Sequence, residues 1–455
     1  MDTKQLRQKI LDLAIHGKLV PQDPNDEPAS VLLERIKAEK ERLVKEGKIK
    51  KSRKSTKTSD TPHYGNVPFE VPEGWKSVPV SELFCLNPKS EITDDTSVGF
   101  IPMACVDGGF SGKHQFEERI WKEVKKGYCH FQNGDIGIAK ISPCFENLKS
   151  TIFQNLPNNY GAGTTELVIL RPLNIHAKFY LYLFKSQWYI SEGTKYFKGV
   201  VGQQRVHKGI FTDLQIPLPP LAEQYRIVTE IERWFALIDQ IEQGKADLQT
   251  AVKQTKSKIL DLAIHGKLVP QDPNDEPAIE LLKRINPDFT PCDNGHYTQL
   301  PNGWQLISMS DICSLVDGKK SQGIEYPNLD VKYLRGEREA KTVNSGKFVS
   351  ANTLMILVDG ENSGEVFRTP INGYQGSTFK QLSINDNMNM EYVLQVINLH
   401  RKILRENKVG SAIPHLNKKL FKSIEVPIPP YKEQQRIIGT INKAFAALNM
   451  IMESL

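Results

Sequence analysis

A perfect internal repeat constrains this 455-residue chain more than any other feature of its sequence. Residues Lys9–Ala29 read KILDLAIHGKLVPQDPNDEPA, and residues Lys258–Ala278 read the same 21 letters. A second pair of segments, Ile216–Phe235 and Val426–Phe445, is identical at nine of twenty positions. Because both pairs occur in the same order, the sequence indicates that the whole chain is a duplication of one module.

The two pairs are displaced by 249 and 210 positions, and this difference predicts how the copies are connected. The terminal residues correspond to neighbouring positions in the middle of the chain, Leu455 to Lys245 and Met1 to Thr250. The shared element is therefore continuous over 221–264 in one copy and split between 431–455 and about 1–15 in the other. A closed repeat of this kind predicts pseudo-twofold symmetry with the two termini close together.

The shared element has the residue spacing of a long helix. Two proline-rich segments, PLPP at 217–220 and PIPP at 427–430, precede it, and proline is tolerated just before or at a helix start. Apolar residues then recur at alternating spacings of four and three, a heptad pattern that predicts a coiled coil, and the near-contiguous offset of the two termini predicts that its helices run antiparallel. The predicted seam consists of Ile227, Ile231, Trp234, Ile238 and Ile241 in one helix and of Ile437, Ile441 and Leu448 in the other. An ordinary amphipathic core helix is the alternative.

Two segments between the helices, 67–220 and 299–430, resemble each other far less than the helices do. Each mixes short alternating strands with a helix, so the predicted fold class is mixed α/β, with two globular domains separated by the long helix pair. The predicted division is an N-terminal helical region with a basic linker (1–66), the first domain (67–220), a central helical region (221–298), the second domain (299–430) and a C-terminal helix (431–455). A shared frame around divergent inserts indicates that the frame sets geometry while the inserts supply specificity.

Basic residues gather near the ends of both inserts, with amide and imidazole side chains interleaved among them. Such patches fit contact with DNA phosphates, and Gln, Asn and Arg side chains also read base edges. The candidate DNA-binding residues are Lys140 in the first insert, Gln203, Gln204, Arg205 and Lys208 for one half-site, and Lys319, Lys320, His415, Asn417 and Lys418 for the other. The tract KIKKSRKSTKTSD at 48–60 reads as a linker that contacts phosphates or remains a solvated tether.

Motifs for catalysis by the chain itself are missing from the sequence. No GxxxxGK[ST] segment is present, so nucleotide hydrolysis is unsupported, and Ile428 before Pro429-Pro430-Tyr431 lacks the amine-binding side chain of an amino-methyltransferase motif. Six cysteines without a CxxC pair predict reduced thiols and no metal site. No leader or membrane-length apolar run is visible, so we expect a cytoplasmic protein without a membrane partner. The net charge of +6 is too modest to decide the partner.

With these features together, the chain resembles the specificity (S) subunit of a type I restriction–modification system over nearly its whole length. The motifs that carry the resemblance are IPLPPLAEQYRI and VPIPPYKEQQRI, each closing a variable domain, and LAIHGKLVPQDPNDEPA, opening the next. The segment GDIGIAKISPCFENLK at 134–149 is similar to a recurrent strand-loop signature of these domains. Members of the family more often carry glycine where this chain has Leu148.

The resemblance implies a non-catalytic subunit whose two target-recognition domains read an asymmetric, bipartite site on double-stranded DNA. It also implies two methyltransferase (M) subunits and, in the full complex, restriction (R) subunits. S-adenosylmethionine, ATP and magnesium would belong to those partners, and no cofactor is expected in this chain. Two alternatives stay open at this point, a DNA methyltransferase or nuclease in its own right and a two-module scaffold that binds only proteins.

Overall fold

The computed structural model describes residues 2–47, 49, 69–200, 203–291, 300–410 and 414–454. The chain divides into two compact units, unit one (1–243) and unit two (244–455). Each unit combines helices with small sheets, so the predicted mixed α/β class is confirmed, as are two repeated domains with a long helix. The basic tract at 48–60 lies outside the described residues except for Ile49.

Unit one begins with the two helices that the repeated segment predicts. The Asp2 carboxylate caps the first of them by accepting hydrogen bonds from the amides of Lys4 and Gln5 at 2.9 and 3.0 Å. This helix is followed by Gly17, whose φ of +66° favours glycine at the end of a helix. The helices of unit one, apart from the long helix described below, are α1 (Thr3–Ile15), α2 (Ala29–Lys45), α3 (Val80–Leu83), α4 (Trp121–Val124), α5 (Ala177–Lys185) and α6 (Gln187–Thr194).

The strands of unit one form three small sheets. They are β1 (Lys76–Pro79), β2 (Phe84–Leu86), β3 (Ser97–Ile101), β4 (Glu117–Ile120), β5 (Cys129–Gln132), β6 (Ile136–Ala139), β7 (Ser150–Ile152), β8 (Tyr160–Gly163), β9 (Leu167–Pro172) and β10 (Gln215–Leu218). The sheet orders are β1-β10, β2-β9-β6-β7 and β4-β3-β8-β5. The largest core cluster joins the second sheet to α5, whose Phe179, Tyr180 and Phe184 are buried, and to α1. The antiparallel pair β1-β10 joins the beginning and the end of the first insert.

The predicted long helix is continuous. This helix, α7 (Leu221–Ile264), contains 44 residues and is about 66 Å long at 1.5 Å per residue. Within unit one, α1 packs along its first half. The Thr3 side chain hydrogen-bonds Glu242, while Arg7 lies over the ring of Phe235 at 5.8 Å from its centroid. Residue numbers increase along α1 as they decrease along α7, so the two helices run antiparallel.

Two of the predicted seam residues, Trp234 and Ile241, do not belong to the buried face of α7. Their exposed fractions are 38% and 41%, and the buried face passes through Phe235 instead. A helix against a globular domain buries positions at its own period of 3.6 residues, which diverges from the 3.5-residue period of a coiled-coil seam. The other predicted seam residues are buried, namely Ile227, Ile231, Ile238, Ile437 and Ile441, or half-buried in the case of Leu448.

Unit two repeats the frame around a different insert. Its helices are α8 (Ala278–Ile285), α9 (Met309–Ile312), α10 (Val331–Leu334), α11 (Met390–Glu406), α12 (Lys418–Lys422) and α13 (Tyr431–Glu453). Its strands are β11 (Gln305–Ser308), β12 (Cys313–Val316), β13 (Lys319–Leu329), β14 (Thr342–Val349), β15 (Leu354–Leu357), β16 (Val366–Arg368), β17 (Gly373–Gln375), β18 (Phe379–Ile384) and β19 (Glu425–Ile428). The orders are β11-β19, β12-β18-β15-β16 and a small closed barrel of β13, β14 and β17.

Corresponding side chains make the same contacts inside each unit. In unit one, Arg226 of α7 forms an ion pair of 2.6 Å with Asp26 in the turn after α1. In unit two, Arg436 of α13 forms an ion pair of the same length with Asp275 in the turn after α7. A buried tyrosine hydroxyl donates to a carbonyl of the closing strand, Tyr180 to Pro217 at 3.4 Å and Tyr392 to Pro427 at 2.7 Å. The duplication seen in the sequence is therefore also a duplication of side-chain contacts.

Candidate nucleic-acid interface

A loop at the end of the first insert brings several predicted residues together. After α6 the chain doubles back, and the amide and carbonyl of Arg205 exchange hydrogen bonds with those of Lys198 at 2.8 and 3.0 Å. The loop then pairs with the chain beyond β6, because Val206 N donates to Lys140 O at 2.9 Å and Ser142 N donates to Gln204 O at 2.8 Å. Lys140 is thus a neighbour of Gln204 and Arg205 although it lies far from them in sequence. We call 198–206 loop one, of which 201–202 lie outside the described residues.

The second insert carries a loop with the same backbone pattern. His415 exchanges main-chain hydrogen bonds with Val409 at 2.8 and 3.0 Å. Leu416 N donates to Val358 O beyond β15, and Gly360 N donates to Pro414 O, both at 2.7 Å. We call 409–416 loop two, of which 411–413 lie outside the described residues. The two loops are equivalent by topology, which the dissimilar insert sequences did not predict.

Both loops place a glycine at the same point. Gly199 has φ +119° and Gly410 has φ +95°, each directly after the residue that pairs with Arg205 or His415. In loop one a Cβ at Gly199 would lie 3.2 Å from the carbonyl oxygen of Gln203. The turn therefore requires a residue that tolerates positive φ and a close approach of backbone.

Each loop leads into a short helix that opens with an exposed lysine. Lys208 begins a 3₁₀ helix that ends at Phe211, and the amide of Gly209 donates to His207 Nδ1 at 3.1 Å. Lys418 begins α12, whose cap is Asn417, accepting from Leu420 N at 3.1 Å. The predicted residues Lys208 and Lys418 occupy equivalent positions, while the Asn417 amide oxygen is engaged in the cap.

Arg205 is held by a carboxylate that the sequence analysis did not identify. Its Nε and Nη2 atoms donate to the two oxygens of Glu166 at 3.1 and 2.8 Å. These hydrogen bonds lower the pKa of Glu166 and raise the pKa of Arg205. Glu166 stands immediately before β9, 39 positions away, so no local sequence signal connects the two residues.

His415 has a carboxylate partner as well. Its Nδ1 atom lies 2.7 Å from Asp359 Oδ1, and half of the His415 side chain is exposed. The two residues also face each other in an isolated main-chain bridge. The carboxylate fixes which ring nitrogen is engaged, and Nε2 is left for another partner.

Of the remaining predicted residues, Lys319 and Lys320 lie apart from the two loops, and Gln203 lies within loop one. Lys319 and Lys320 stand at the exposed start of β13, where they pair with Phe348 and Lys347 of β14 and not with loop two. Gln203 is exposed in loop one. The structure therefore places Lys319 and Lys320 on a different element from His415, Asn417 and Lys418.

Among the described residues, no three His, Cys, Asp or Glu side chains are grouped so that they hold a metal ion. No helix in the same part of the chain is long and apolar enough to cross a membrane.

The sequence model of the type I restriction modification DNA specificity domain matches residues 72–249 and 301–454, which is most of the chain. The chain belongs to this type I specificity family. Each match begins shortly before the strand that opens a domain and extends into or through the helix that follows the domain. The family's unit is thus one recognition domain together with its helix, and this chain contains two.

Relatives in this specificity family cover both domains. The chain is 38% identical to the type I restriction enzyme EcoAI specificity subunit from Escherichia coli, over 79% of this chain and 70% of that protein. It is 34% identical to the EcoEI specificity subunit from the same species, over 99% of this chain and 90% of that protein. The fold is similar to a chain in a solved structure on complex assembly and conformational transition of the type I R-M system. That likeness has a TM-score of 0.64 at 16% identity and covers 85% of this chain and 94% of the other.

Proposed function

We propose that this chain is the DNA-recognition subunit of a type I restriction–modification complex and that each of its two domains reads one half of a bipartite site. The observation that carries the proposal is that loops one and two have the same backbone pattern on inserts of different sequence. Recognition of two different half-sites requires the same backbone framework with different side chains. The site is therefore expected to be asymmetric.

The candidate contacts follow from the side chains that these loops and the neighbouring strands expose. Lys140, Lys208 and Lys418 supply positive charge for phosphates, as do Lys319 and Lys320 on β13. Gln203 and Gln204 have amide groups that pair with adenine, while Arg205 and His415 have donors that reach base edges. Asn417 is a weaker candidate because its side-chain oxygen caps α12.

The long helices are proposed as a spacer between the domains, in the form of an antiparallel pair related by a pseudo-twofold axis. The support comes from contacts inside each unit. Arg7 lies over the ring of Phe235 at 5.8 Å, and Lys256, its equivalent, lies over the ring of Phe445 at 5.5 Å. Lys256 also donates to Asn449 Oδ1 at 2.6 Å. Domains related by such an axis approach a duplex in opposite senses, as the halves of a symmetric dimer do.

The partners of the proposed subunit are two M subunits and, for cleavage, R subunits. The relatives that are named as specificity subunits of restriction enzymes support this assignment. In it, S-adenosylmethionine, ATP and magnesium are held by the partners, and this chain contributes recognition without catalysis. The proposed location is the cytoplasm, where the DNA is accessible.

The test is reconstitution of the chain with its M subunits, followed by methylation of a library of random duplexes. The expected result is methylation at two defined half-sites with a fixed number of unspecified base pairs between them. Binding to that site should exceed binding to a scrambled duplex and should weaken as salt is raised. Methyl transfer by the purified chain alone would instead favour an independent methyltransferase, and equal affinity for all duplexes would contradict a recognition subunit.

A further inference from the structure

Arg205 and His415 occupy the same position in the two domains. Each exchanges two main-chain hydrogen bonds with the residue on the outgoing arm of its loop. Each also lies across from the second residue beyond an inner strand of its sheet, Ile141 beyond β6 for Arg205 and Asp359 beyond β15 for His415. Both side chains are half-exposed. The sequence analysis placed both residues among the basic ends of the inserts but did not align them with each other.

The carboxylates that bind these two side chains stand at different backbone positions in the two inserts. Glu166 precedes β9, and the residue in the corresponding position before β18 is Thr378, because the carbonyls of both accept the equivalent main-chain hydrogen bond, at 2.9 and 2.8 Å. Conversely, Asp359 corresponds to Ile141. The frame alone therefore does not produce the carboxylate partners. Each insert provides its own, at a different backbone position but for the same loop residue.

Closure of the loops does not account for these pairs. In each domain the loop is already fixed by main-chain hydrogen bonds to its own outgoing arm and to the chain beyond the inner strand. An ion pair between half-exposed groups adds little to stability, because water solvates both charges and holding two side chains costs entropy. Orientation of an exposed donor is the remaining effect of the carboxylate.

The nitrogen atoms that the carboxylates do not bind are suited to hydrogen bonding with a base edge. Glu166 takes the edge of the guanidinium formed by Nε and Nη2, which leaves the Nη1 side directed away from the carboxylate. An end-on guanidinium matches guanine O6 and N7 in the major groove. Asp359 takes Nδ1 of His415 and leaves Nε2, which makes a single hydrogen bond and discriminates less strongly than a bidentate contact.

We propose that Arg205 and His415 are the equivalent specificity-determining side chains of the two domains, oriented by Glu166 and Asp359 as positioning residues. The inference rests on the proposed function and names the reading position within it. Arg205 reads a guanine of one half-site, and His415 contacts one base edge of the other. The carboxylates restrict the side chains before binding, so less freedom is lost on DNA, and their negative charge disfavours binding to phosphates.

The experiment uses the complex reconstituted with M subunits and a library in which each base pair of both half-sites is varied. R205A should lower discrimination at one base pair of one half-site by roughly 5- to 150-fold, the range of a bidentate contact, and leave the other half-site unchanged. H415A should lower discrimination at one base pair of the other half-site by a smaller factor. K208A and K418A are the matched controls, and each should weaken binding to all sequences equally while reducing the salt dependence.

The positioning role is tested by E166Q and D359N. E166Q should lower discrimination at the base pair that R205A affects while increasing binding to scrambled duplex, a combination that a merely structural contact does not produce. In the R205A background E166Q should change discrimination no further, because its effect passes through the arginine. D359N should behave in the same way with respect to H415A.

The outcomes separate the inference from the function on which it rests. Unchanged discrimination in both R205A and H415A, with a wild-type complex that methylates a defined site, overturns the inference alone. A wild-type complex without sequence preference overturns the proposed function. If R205A misfolds and no longer recognises either half-site, R205K is measured in its place, because lysine keeps the positive charge without the planar guanidinium group. Lost discrimination in R205K with retained binding supports the inference, and retained discrimination contradicts it.

Discussion

The indole N–H of Trp75 donates a hydrogen bond of 2.9 Å to Glu223 Oε2, although the two residues are 148 positions apart. The contact recurs in unit two, where Trp304 donates to Glu433 at 3.0 Å. Trp75 immediately precedes the first strand of its domain, and Glu223 lies in the first turn of α7. The hydrogen bond therefore joins the entry of the recognition domain to the start of the helix that leaves it.

E223Q is expected to destabilise the chain. The carboxylate accepts from Trp75 through one oxygen and from Gln22 through the other at 3.2 Å, whereas a glutamine amide offers only one acceptor oxygen. One buried donor would be left without an acceptor, at a cost of about 1–3 kcal/mol. Urea unfolding measures the loss, and E433Q is the matched variant in unit two. An unchanged midpoint for both variants would mean that the contact does not hold the frame.

The difference in stability between the wild type and E223Q should also depend on pH. Burial raises the pKa of Glu223, so between the unfolded and folded values the folded chain binds more protons than the unfolded chain. The stabilisation that comes from binding this additional proton is complete at low pH and is lost as pH rises through the folded pKa, where the hydrogen bonds to the carboxylate remain. The advantage of the wild type over E223Q should therefore grow as pH falls from neutral. A constant difference over that range would contradict the raised pKa.

The frame was predictable because its signals are local or repeated. The prolines at 219–220 and the regular apolar spacing after them set the bounds of α7, and the duplicated letters set those of α1. The choice between Trp234 and Phe235 was not predictable, because the seam and the domain-facing stripe share Ile231 and Ile238. The partners Glu166 and Asp359 were missed because each pair forms across 39 or 56 positions through folding alone.

Leu148 has a φ of +57°, a backbone conformation that favours glycine, which is the residue that the resemblance to the family predicts here. A side chain with a Cβ is strained in this region by about 1–2 kcal/mol, yet Leu148 keeps a buried place in the core. We expect L148G to be about 1 kcal/mol more stable than L148A, since the two variants differ only by the Cβ, which is strained at this φ. The control is Leu183 in α5, where L183G should be the less stable of the two. The same order at both positions in urea unfolding would contradict strain at Leu148.

Lys185 is a buried amine, and among the described residues no carboxylate lies in hydrogen-bond contact with it. Its Nζ donates to Gly109 O at 2.7 Å and to Leu148 O at 2.8 Å, and burial lowers its pKa to about 7. Between that value and the usual value of 10.5 the unfolded chain binds more protons, so this contribution to stability rises with pH. The stability of the wild type relative to K185M should therefore increase from pH 7 to pH 10. K178M, at a half-exposed position of the same helix, should show no such trend.

The buried face of the helices predicts which substitutions destabilise them. I231A and I238A should each cost about 2–5 kcal/mol, because truncation of a buried Ile removes contacts and leaves a cavity. L448A should cost less since Leu448 is half-buried, and I241A at an exposed position should cost about 0.5 kcal/mol or less. The free energy of unfolding of each purified variant is the measurement that tests these values. If I241A lowered the free energy of unfolding as much as I238A does, the result would support the predicted heptad seam through Ile241.

The spacing between half-sites should depend on the middle of α7. Residues 242–250 are exposed apart from the half-buried Lys245, and Gly244 has open space where a Cβ would stand, so an insertion there disturbs little packing. Each added base pair moves the far half-site by about 3.4 Å and rotates it by roughly a tenth of a turn. A four-residue insertion, close to one helical turn of 3.6 residues, should therefore change the preferred number of unspecified base pairs while both half-sites stay the same. Methylation of a library with varied spacer lengths measures this, and a four-alanine replacement of 244–247 is the control that changes the sequence but keeps the wild-type length. If the insertion and the replacement prefer the wild-type spacer alike, the helix does not set the distance, and the two domains act as independent readers on a flexible connection.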